Sequence, residues 1–326
     1  MKQNKLVMSL SAAVITSLSV PGTAVAAYPE KPVTIVVPYS PGGATDSTAR
    51  IMAQALQNIT GQTFMVENVP GAGTVIGSSK VAKAPADGYT LLFGGLSANV
   101  LAPHIYRNTV TFDPETDFEP IGRIASQPLI LVVNSESKYD GLNDLLEKAR
   151  KSPGALNFGS PGNGSAPHLI SELFLAEAGI EATHIPFKGA APAISALIGG
   201  NIDFLLDTPT APMPQVEGKR LRALGVTTQE SVKGLENIPA MDGQGLEGFE
   251  ANTWFALYAP KGTDAKTLDM LNGWLNDALE NTNVKALMAT AYLHPTPGSR
   301  QDLETFANAE RKRWGQLIDA KKLEGK

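Results

Sequence analysis

The chain has 326 residues, of which 43% are hydrophobic and 18% charged, and its 32 acidic against 27 basic residues give a formal net charge of −5. These values are ordinary for a soluble globular protein, and the length is sufficient for two domains. An acidic chain without a basic patch argues against a nucleic-acid partner. Because the chain contains no cysteine, disulfides, thiolate metal sites and cysteine nucleophiles are excluded.

The first 26 residues have the pattern of a secretory signal peptide. Lys2 and Lys5 precede the apolar stretch Leu6–Val20, and the small residues Ala24–Ala27 follow a Pro-Gly break. The apolar stretch is shorter than the roughly 20 residues that a membrane-spanning helix needs. We therefore expect an exported protein that is cleaved near Ala26.

From residue 31 the chain alternates strands with helices. Val33–Val37 is a run of β-branched residues, which predicts a buried strand. A helix with one apolar face follows from Thr45 and stops at Gly61. The next expected elements are a strand at Thr63–Glu67, a helix at Val75–Ala84 and a strand at Tyr89–Phe93. This alternation predicts an α/β fold with a mostly parallel sheet and helices on its faces.

The pattern restarts near Pro128 and predicts a second α/β lobe. Its expected strands are Leu129–Asn134, Leu156–Gly159, Thr183–Pro186 and Phe204–Leu206, and its expected helices are Gly141–Lys151, Ser165–Ala178 and Ala190–Ile198. A strand at Trp254–Tyr258 then precedes two long helices with apolar stripes, which need a sheet to cover. We therefore predict a discontinuous lobe 1 (27–127 plus 249–326), a lobe 2 (128–248) and a ligand cleft between them that closes about a hinge.

Four Gly-rich turns, each between a strand and a helix, are the recurring feature of both lobes. They lie at Pro41–Gly43, Gly71–Gly73, Gly159–Ser165 and Lys188–Ala191. Each turn places free backbone N–H groups at a helix N-terminus, where the helix dipole favours an anion. In parallel α/β sheets such turns gather at the carboxyl ends of the strands, where ligands bind. Two turns in each lobe would face one another across a cleft.

Sequence patterns that indicate catalysis are missing. There is no GxSxG, HExxH or P-loop pattern, and no GxGxxG pattern between a strand and a helix, so we predict no catalytic residue, no metal site and no cofactor. His168 and Glu172 lie four residues apart on a predicted helix, a pair that is usually structural. A secreted α/β hydrolase remains an alternative, and it would depend on His168.

The same segments resemble a known family. Val37–Asp46, Glu67–Gly73, Asp87–Thr90, Asn157–Ser165 and Ile185–Ala193 are similar to motifs of the Bug family, the periplasmic solute receptors of tripartite tricarboxylate transporters. The resemblance covers essentially the whole mature chain. It implies a two-lobed Venus-flytrap protein in the periplasm that delivers a solute to membrane permease subunits. We expect a monomer, and a receptor for a membrane signalling partner remains an alternative role.

The resemblance also implies where the ligand lies. In this family backbone amides and small hydroxyl groups of the cleft loops hold a carboxylate, which leaves di- and tricarboxylates and aromatic acids open as ligands. Asp46 is expected to bind loop donors or a bridging water, and Ser97 and Thr208 to add side-chain contacts. Thr74 stands where the family usually has glycine, and we expect it to add a hydroxyl to the pocket. The predicted ligand-binding residues are Tyr39, Gly42, Gly43, Asp46, Ala72, Gly73, Ser97, Ser160, Asn163, Gly164, Ser165, Ala166, Gly189, Ala190, Ala191 and Thr208.

Overall fold

The computed structural model describes residues 28–229 and 232–321. The predicted signal peptide therefore lies outside the described residues. Within these two ranges, no helix has the length and apolar content needed to cross a bilayer.

The helices and strands alternate along most of the chain. The strands are β1 (Val33–Val37), β2 (Phe64–Asn68), β3 (Thr90–Gly95), β4 (Phe118–Pro128), β5 (Ile130–Asn134), β6 (Leu156–Ser160), β7 (Ala182–Pro186), β8 (Phe204–Asp207), β9 (Leu221–Val226), β10 (Asn252–Pro260) and β11 (His294–Pro295). The helices are α1 (Ala44–Thr60), α2 (Val75–Ala82), α3 (Ala102–Ile105), α4 (Leu142–Lys151), α5 (Ala166–Ala178), α6 (Ala190–Ile198), α7 (Met213–Glu217), α8 (Ala265–Glu280), α9 (Thr282–Thr290) and α10 (Arg300–Lys321).

The strands form two mixed sheets flanked by helices, which confirms the two-lobed α/β fold. One sheet has the order β11-β4-β10-β3-β1-β2 and the other the order β7-β6-β8-β5-β9. In the first sheet β1 is parallel to β2 and β3, and in the second β6 is parallel to β7 and β8. The other strand pairs are antiparallel.

The prediction that each sheet is mostly parallel is therefore wrong. The reason lies in the strands that carry the chain between the sheets. β4 leaves the first sheet and β10 returns to it, so they run in opposite directions and pair antiparallel from Asn252↔Pro128 to Pro260↔Phe118. In the second sheet β5 is antiparallel to both β8 and β9.

The first sheet draws its strands from both ends of the chain, β1–β4 and β10–β11, whereas the second uses only residues 130–226. The C-terminal helices cover the first sheet: α8 packs on β4 and α1, and α10 packs on β4. On α8 the stripe of Leu268, Leu271, Leu275 and Leu279 is fully buried, as its helical spacing predicts. The lobe limits at 127/128 and 248/249 stay predictions.

Local signals explain where the helices next to the cleft begin and end. Helix α1 ends at Gly61, which has φ of 72° and whose N–H binds the Gln57 carbonyl at 2.9 Å. At its start, Gly43 is extended and supplies no side-chain cap. Helix α5, in contrast, begins with Ser165, whose Oγ accepts a hydrogen bond from the His168 N–H at 3.4 Å. These two starts therefore differ in how many N–H groups they leave for a ligand.

Candidate functional site

A cavity of about 1020 Å³ lies between the two sheets and is lined by loops of both lobes. On one side it is bounded by the segments that follow β1, β2 and β3, and on the other by those that follow β6, β7 and β8. All but three of the predicted ligand-binding residues line it: Tyr39, Gly42, Gly43, Ala72, Gly73, Ser97, Asn163, Ser165, Ala166, Gly189, Ala190, Ala191 and Thr208. Asp46, Ser160 and Gly164 lie outside the lining.

The turn before α1 opens directly into the cavity. A Cβ atom added to Gly42 or Gly43 would meet no atom within 4 Å. Gly42 has φ of 91°, which favours glycine, but Gly43 has φ of −88° and could hold any side chain. Helix α1 has no side-chain cap, so the N-cap residue satisfies none of its first N–H groups, and Gly43, Ala44 and Thr45 all line the cavity.

Asp46 holds this turn from behind. Its carboxylate is 4% exposed and accepts hydrogen bonds from the Gly42 N–H (3.0 Å), Arg50 (2.9 and 3.1 Å) and Asn68 Nδ2 (2.9 Å). Burial alone would raise the pKa of Asp46, but the hydrogen bonds from Arg50, Gly42 and Asn68 hold it below its usual range. Asp46 thus binds a loop donor, the indirect role expected from the sequence, and its carboxylate is fully engaged.

The second turn of lobe 1 has an unusual backbone. Gly71, Ala72, Gly73 and Thr74 have positive φ angles of 135°, 46°, 57° and 90°. For a β-branched residue such as Thr74, this region is a steric outlier that costs on the order of 1–3 kcal/mol. Thr74 lines the cavity, is 2% exposed, and its Oγ1 is buried without a hydrogen-bond partner. An unpaired buried polar group in a native structure calls for an explanation, and a ligand in the adjoining cavity would supply the missing partner.

The third turn is largely occupied by protein groups. The Ser160 hydroxyl bonds the Gly162 backbone (3.1 Å) and lies 2.7 Å from His184 Nε2, so it braces the turn from outside the cavity. The Ala166 N–H, at the start of α5, donates to Ser97 Oγ of the other lobe at 3.0 Å. The sequence predicted an open anion cradle here, but the structure shows that Ser97 caps this helix across the cleft.

A second contact joins the lobes through Tyr106. Its hydroxyl donates to the Asn163 carbonyl at 3.1 Å. A Cβ atom at Gly73 would lie 2.2 Å from the Tyr106 ring, and one at Gly164 would lie 3.0 Å from it, so two glycines of opposite lobes make room for this ring. Gly164 therefore affects the cavity indirectly, by leaving room for the Tyr106 ring that lines it. Tyr106 lies in no motif and follows a short helix, so no local sequence pattern points to it.

The fourth turn resembles the first. Gly189 has φ of 112°, its N–H donates to the Pro161 carbonyl at 3.0 Å, and α6 begins after it without a side-chain cap. Ala190 and Ala191 line the cavity at this helix start, beside the exposed Lys188. Two uncapped helix starts, α1 in one lobe and α6 in the other, thus border the same space.

The floor of the cavity contains polar and aromatic groups that the sequence analysis did not assign. Thr253, Trp254 and Phe255 of β10 contribute from the strand that returns between the lobes. Asp207, at the end of β8, lines the cavity beside Thr208, whose N–H donates to Asp207 Oδ1 at 2.7 Å. The sequence placed Asp207 at a strand end, but only the tertiary structure shows that it is 2% exposed.

The groups that a hydrolase would use are separated from the cavity. His168 and His184 stack with ring centroids 3.9 Å apart, and His168 Nε2 lies 3.7 Å from Glu172 Oε1. Burial, together with the neighbouring His168, lowers the pKa of His184 to about 3. Ser160 and His184 form a close pair that the sequence analysis did not foresee, yet Ser160, His168 and His184 are all absent from the lining. Within the described ranges, no group of three or more His, Cys, Asp or Glu residues is arranged to hold a metal ion.

The chain is similar to known proteins over most of its length. Residues 48–323 match the model of a family described as tripartite tricarboxylate transporter family receptor. The chain is 34% identical over 291 residues to protein BugT of Bordetella pertussis, a match that covers 89% of each chain.

Two solved structures from Rhodopseudomonas palustris carry named ligands. A protein with adipate is 34% identical, has a TM-score of 0.86 and is matched over 90% of this chain and 98% of its own. The MatC protein with bound malate is 26% identical, has a TM-score of 0.82 and is matched over 89% of this chain and 100% of its own.

Proposed function

This chain belongs to the family of tripartite tricarboxylate transporter receptors, and we propose on that basis that it is a periplasmic protein that captures a small carboxylate in its cleft. The observation that carries the proposal is the pair of uncapped helix starts, α1 and α6, on opposite sides of one cavity. Backbone N–H groups at a helix start bind an anion without a dedicated cationic side chain. The ligands of the two R. palustris relatives, adipate and malate, are dicarboxylates.

The contacts across the cleft support a closing mechanism. Ser97 and Tyr106 of lobe 1 bind the Ala166 N–H and the Asn163 carbonyl of lobe 2. These groups belong to segments that also border the cavity, so closure and ligand enclosure involve the same loops. In this proposal the bound ligand stabilises the closed form, and the closed protein, acting as a monomer, presents the solute to membrane permease subunits.

The proposed function is binding without chemical conversion. The close Ser160–His184 pair lies outside the lining, and its hydroxyl is engaged with the Gly162 backbone. A hydrolytic nucleophile must reach the bound ligand, so this pair does not favour the hydrolase alternative. A receptor that reports the ligand to a membrane sensor would use the same cleft. The two roles are separated by measuring growth on the ligand after deletion of the receptor gene and after deletion of candidate permease genes.

The proposal is tested by a thermal-shift screen of the mature protein at pH 6 and pH 7.5. Adipate, malate, citrate and terephthalate serve as probes, and adipamide, the uncharged diamide of the same length as adipate, serves as the control. We expect at least one acid to raise Tm while adipamide does not. If no acid stabilises the folded protein, or if adipamide stabilises it equally, carboxylate capture is contradicted.

A further inference from the structure

Asp207 is a carboxyl group in a cavity that we assign to an anion. Its side chain is 2% exposed, and it is the only carboxylic acid among the described residues that line the cavity. Oδ1 accepts hydrogen bonds from the N–H and the hydroxyl of Thr208, at 2.7 and 3.4 Å. Oδ2 is buried and has no hydrogen-bond partner. A buried carboxylate with one unpaired oxygen is unfavourable as an anion.

The elements packed against β8, which are β5, β6, α5 and α6, contain no lysine or arginine. β5, β6 and α6 contain no ionisable side chain. On α5, Glu172 lies against His168 at 3.7 Å, and Glu177 is exposed. The charge of Asp207 therefore depends on Thr208 and on what the cavity contains.

The other ionisable groups of the lining do not pair with Asp207 either. Lys188 and Arg220 are exposed, and among the described residues no hydrogen bond or ion pair joins either of them to Asp207. Burial raises the pKa of Tyr39 to about 12, partly opposed by a hydrogen bond with Ser97, and burial also raises the pKa of Tyr106. Both tyrosines therefore stay neutral near pH 7.

Burial raises the pKa of Asp207 to about 7, although the hydrogen bonds from Thr208 oppose the shift. In the ligand-free protein the acid and its anion are therefore both populated near neutral pH. A carboxylate ligand in the same cavity adds a like charge, which disfavours the ionised form of Asp207 further.

We propose that Asp207 takes up a proton when the cleft captures a carboxylate, so that ligand and proton bind together. This inference rests on the proposed function. Ionised Asp207 attracts the hydroxyl hydrogen of Thr208, as the contact between Thr208 Oγ1 and Oδ1 indicates. Neutral Asp207 accepts a weaker hydrogen bond, so the Thr208 hydroxyl can instead donate a hydrogen bond to the ligand. Asp207 is thus a positioning residue that acts through Thr208 and also removes a repulsive charge.

Linkage gives the direction of the pH effect. Below pH 7 Asp207 is already protonated, so a carboxylate that remains ionised binds with constant affinity. Above pH 7 the proton must be taken from solution, and affinity falls by up to about tenfold for each pH unit until the pKa of the complex is reached.

Calorimetry counts the proton directly. Adipate is titrated into the mature protein at pH 6, 7.5 and 9 in pairs of buffers with different ionisation enthalpies. At pH 7.5 to 9 we expect up to one proton to be taken up per adipate, and the Asp207→Asn variant to bind without proton uptake and with little change in affinity between pH 6 and 9. If the wild-type protein takes up no proton, or the variant takes up as many, the proposal is overturned.

Asp203→Asn is a matched control in the same lobe. The Asp203 carboxylate accepts a hydrogen bond from the Asn157 N–H at 2.8 Å and does not line the cavity. This variant should keep the proton uptake of the wild-type protein, and loss of uptake in both variants would contradict a specific role of Asp207.

A second readout needs no ligand. The γ-carboxyl ¹³C resonance that is absent from Asp207→Asn should titrate with a midpoint near pH 7 in the ligand-free protein, and a midpoint near 4 would overturn the proposal. The calorimetric outcomes also separate this proposal from the proposed function. If neither adipate nor any other acid of the thermal-shift screen binds at pH 6, both proposals are removed, whereas binding of an acid without proton uptake removes only this one.

Discussion

The backbone cradle at Gly43 can be tested by adding a side chain where the structure leaves space. At Gly43 a Cβ atom meets nothing within 4 Å, and φ of −88° allows a branched residue, so Gly43→Val should fold. The added carbons would occupy the space through which a ligand reaches the first N–H groups of α1. Hydrogen bonds to a charged group contribute about 1.5–3 kcal/mol each. Loss of one such bond therefore predicts a roughly 10- to 150-fold weaker affinity for adipate, measured by calorimetry.

The matched control for this variant is Gly141→Val. Gly141 occupies the same position at the start of α4, has an extended backbone with φ of −148°, and would likewise place a Cβ atom with no neighbour within 4 Å. It does not line the cavity. Both variants lose the same cap preference, about 1 kcal/mol or less, so their Tm values should fall alike. Equal affinity of the two variants for adipate would refute the assignment of the ligand to the turn before α1.

Three further variants test other parts of the site. Thr74→Gly relieves the positive-φ strain, so the free energy of unfolding should rise by about 1 kcal/mol in urea denaturation, while the affinity for adipate falls. Thr74→Ser keeps the hydroxyl and should retain the affinity. An unchanged affinity in Thr74→Gly would exclude the hydroxyl from the site. Tyr106→Phe removes one hydrogen bond across the cleft, worth about 1 kcal/mol, and should raise the ligand dissociation rate several-fold in stopped-flow measurements. An unchanged rate would show that this bond does not hold the closed form. Because the pKa of Asp46 is lowered in the folded protein, its ionised form stabilises the fold above about pH 4, and this contribution is lost as pH falls through the folded-state pKa. Asp46→Asn should therefore cost stability at pH 7 but much less at pH 3, and an equal cost at both values would contradict this origin.

The sequence predicted the elements with strong periodic patterns. Val33–Val37 is β1, the helix that stops at Gly61 is α1, and the leucine stripe of Leu268 to Leu279 is the buried face of α8. These patterns are local, so single-sequence reasoning can read them. It missed β4 (Phe118–Pro128), whose Pro, Gly, Arg and Gln residues weaken any strand pattern and whose conformation depends on pairing with β10. Because β4 was missed, its antiparallel pairs with β10 and β11 were missed as well. The antiparallel pairs of β5 with β8 and β9 depend on the order of the strands in the sheet, which no local pattern encodes.

In the candidate site, too, local features were predicted and long-range contacts were not. Glycines in the strand–turn–helix junctions predicted that Gly43 and Gly189 line the cavity. A site formed by backbone N–H groups requires glycine at the turns, and glycine-rich turns are visible in the sequence. The Ser97 contact with Ala166 and the Tyr106 contact with Asn163 join residues far apart in sequence, and no local pattern encodes them. The raised pKa of Asp207 likewise arises from burial without a cation, a property of the assembled lobe.

We propose above that backbone N–H groups of opposite lobes hold the ligand carboxylate. A crystal structure of the complex with the acid that gives the largest Tm increase tests this most directly. We expect a carboxylate oxygen within about 3.2 Å of an N–H group at the start of α1 (residues 43–45) or of α6 (residues 190–191). A carboxylate held mainly by Lys188 or Arg220, with both helix starts facing only water, would contradict it.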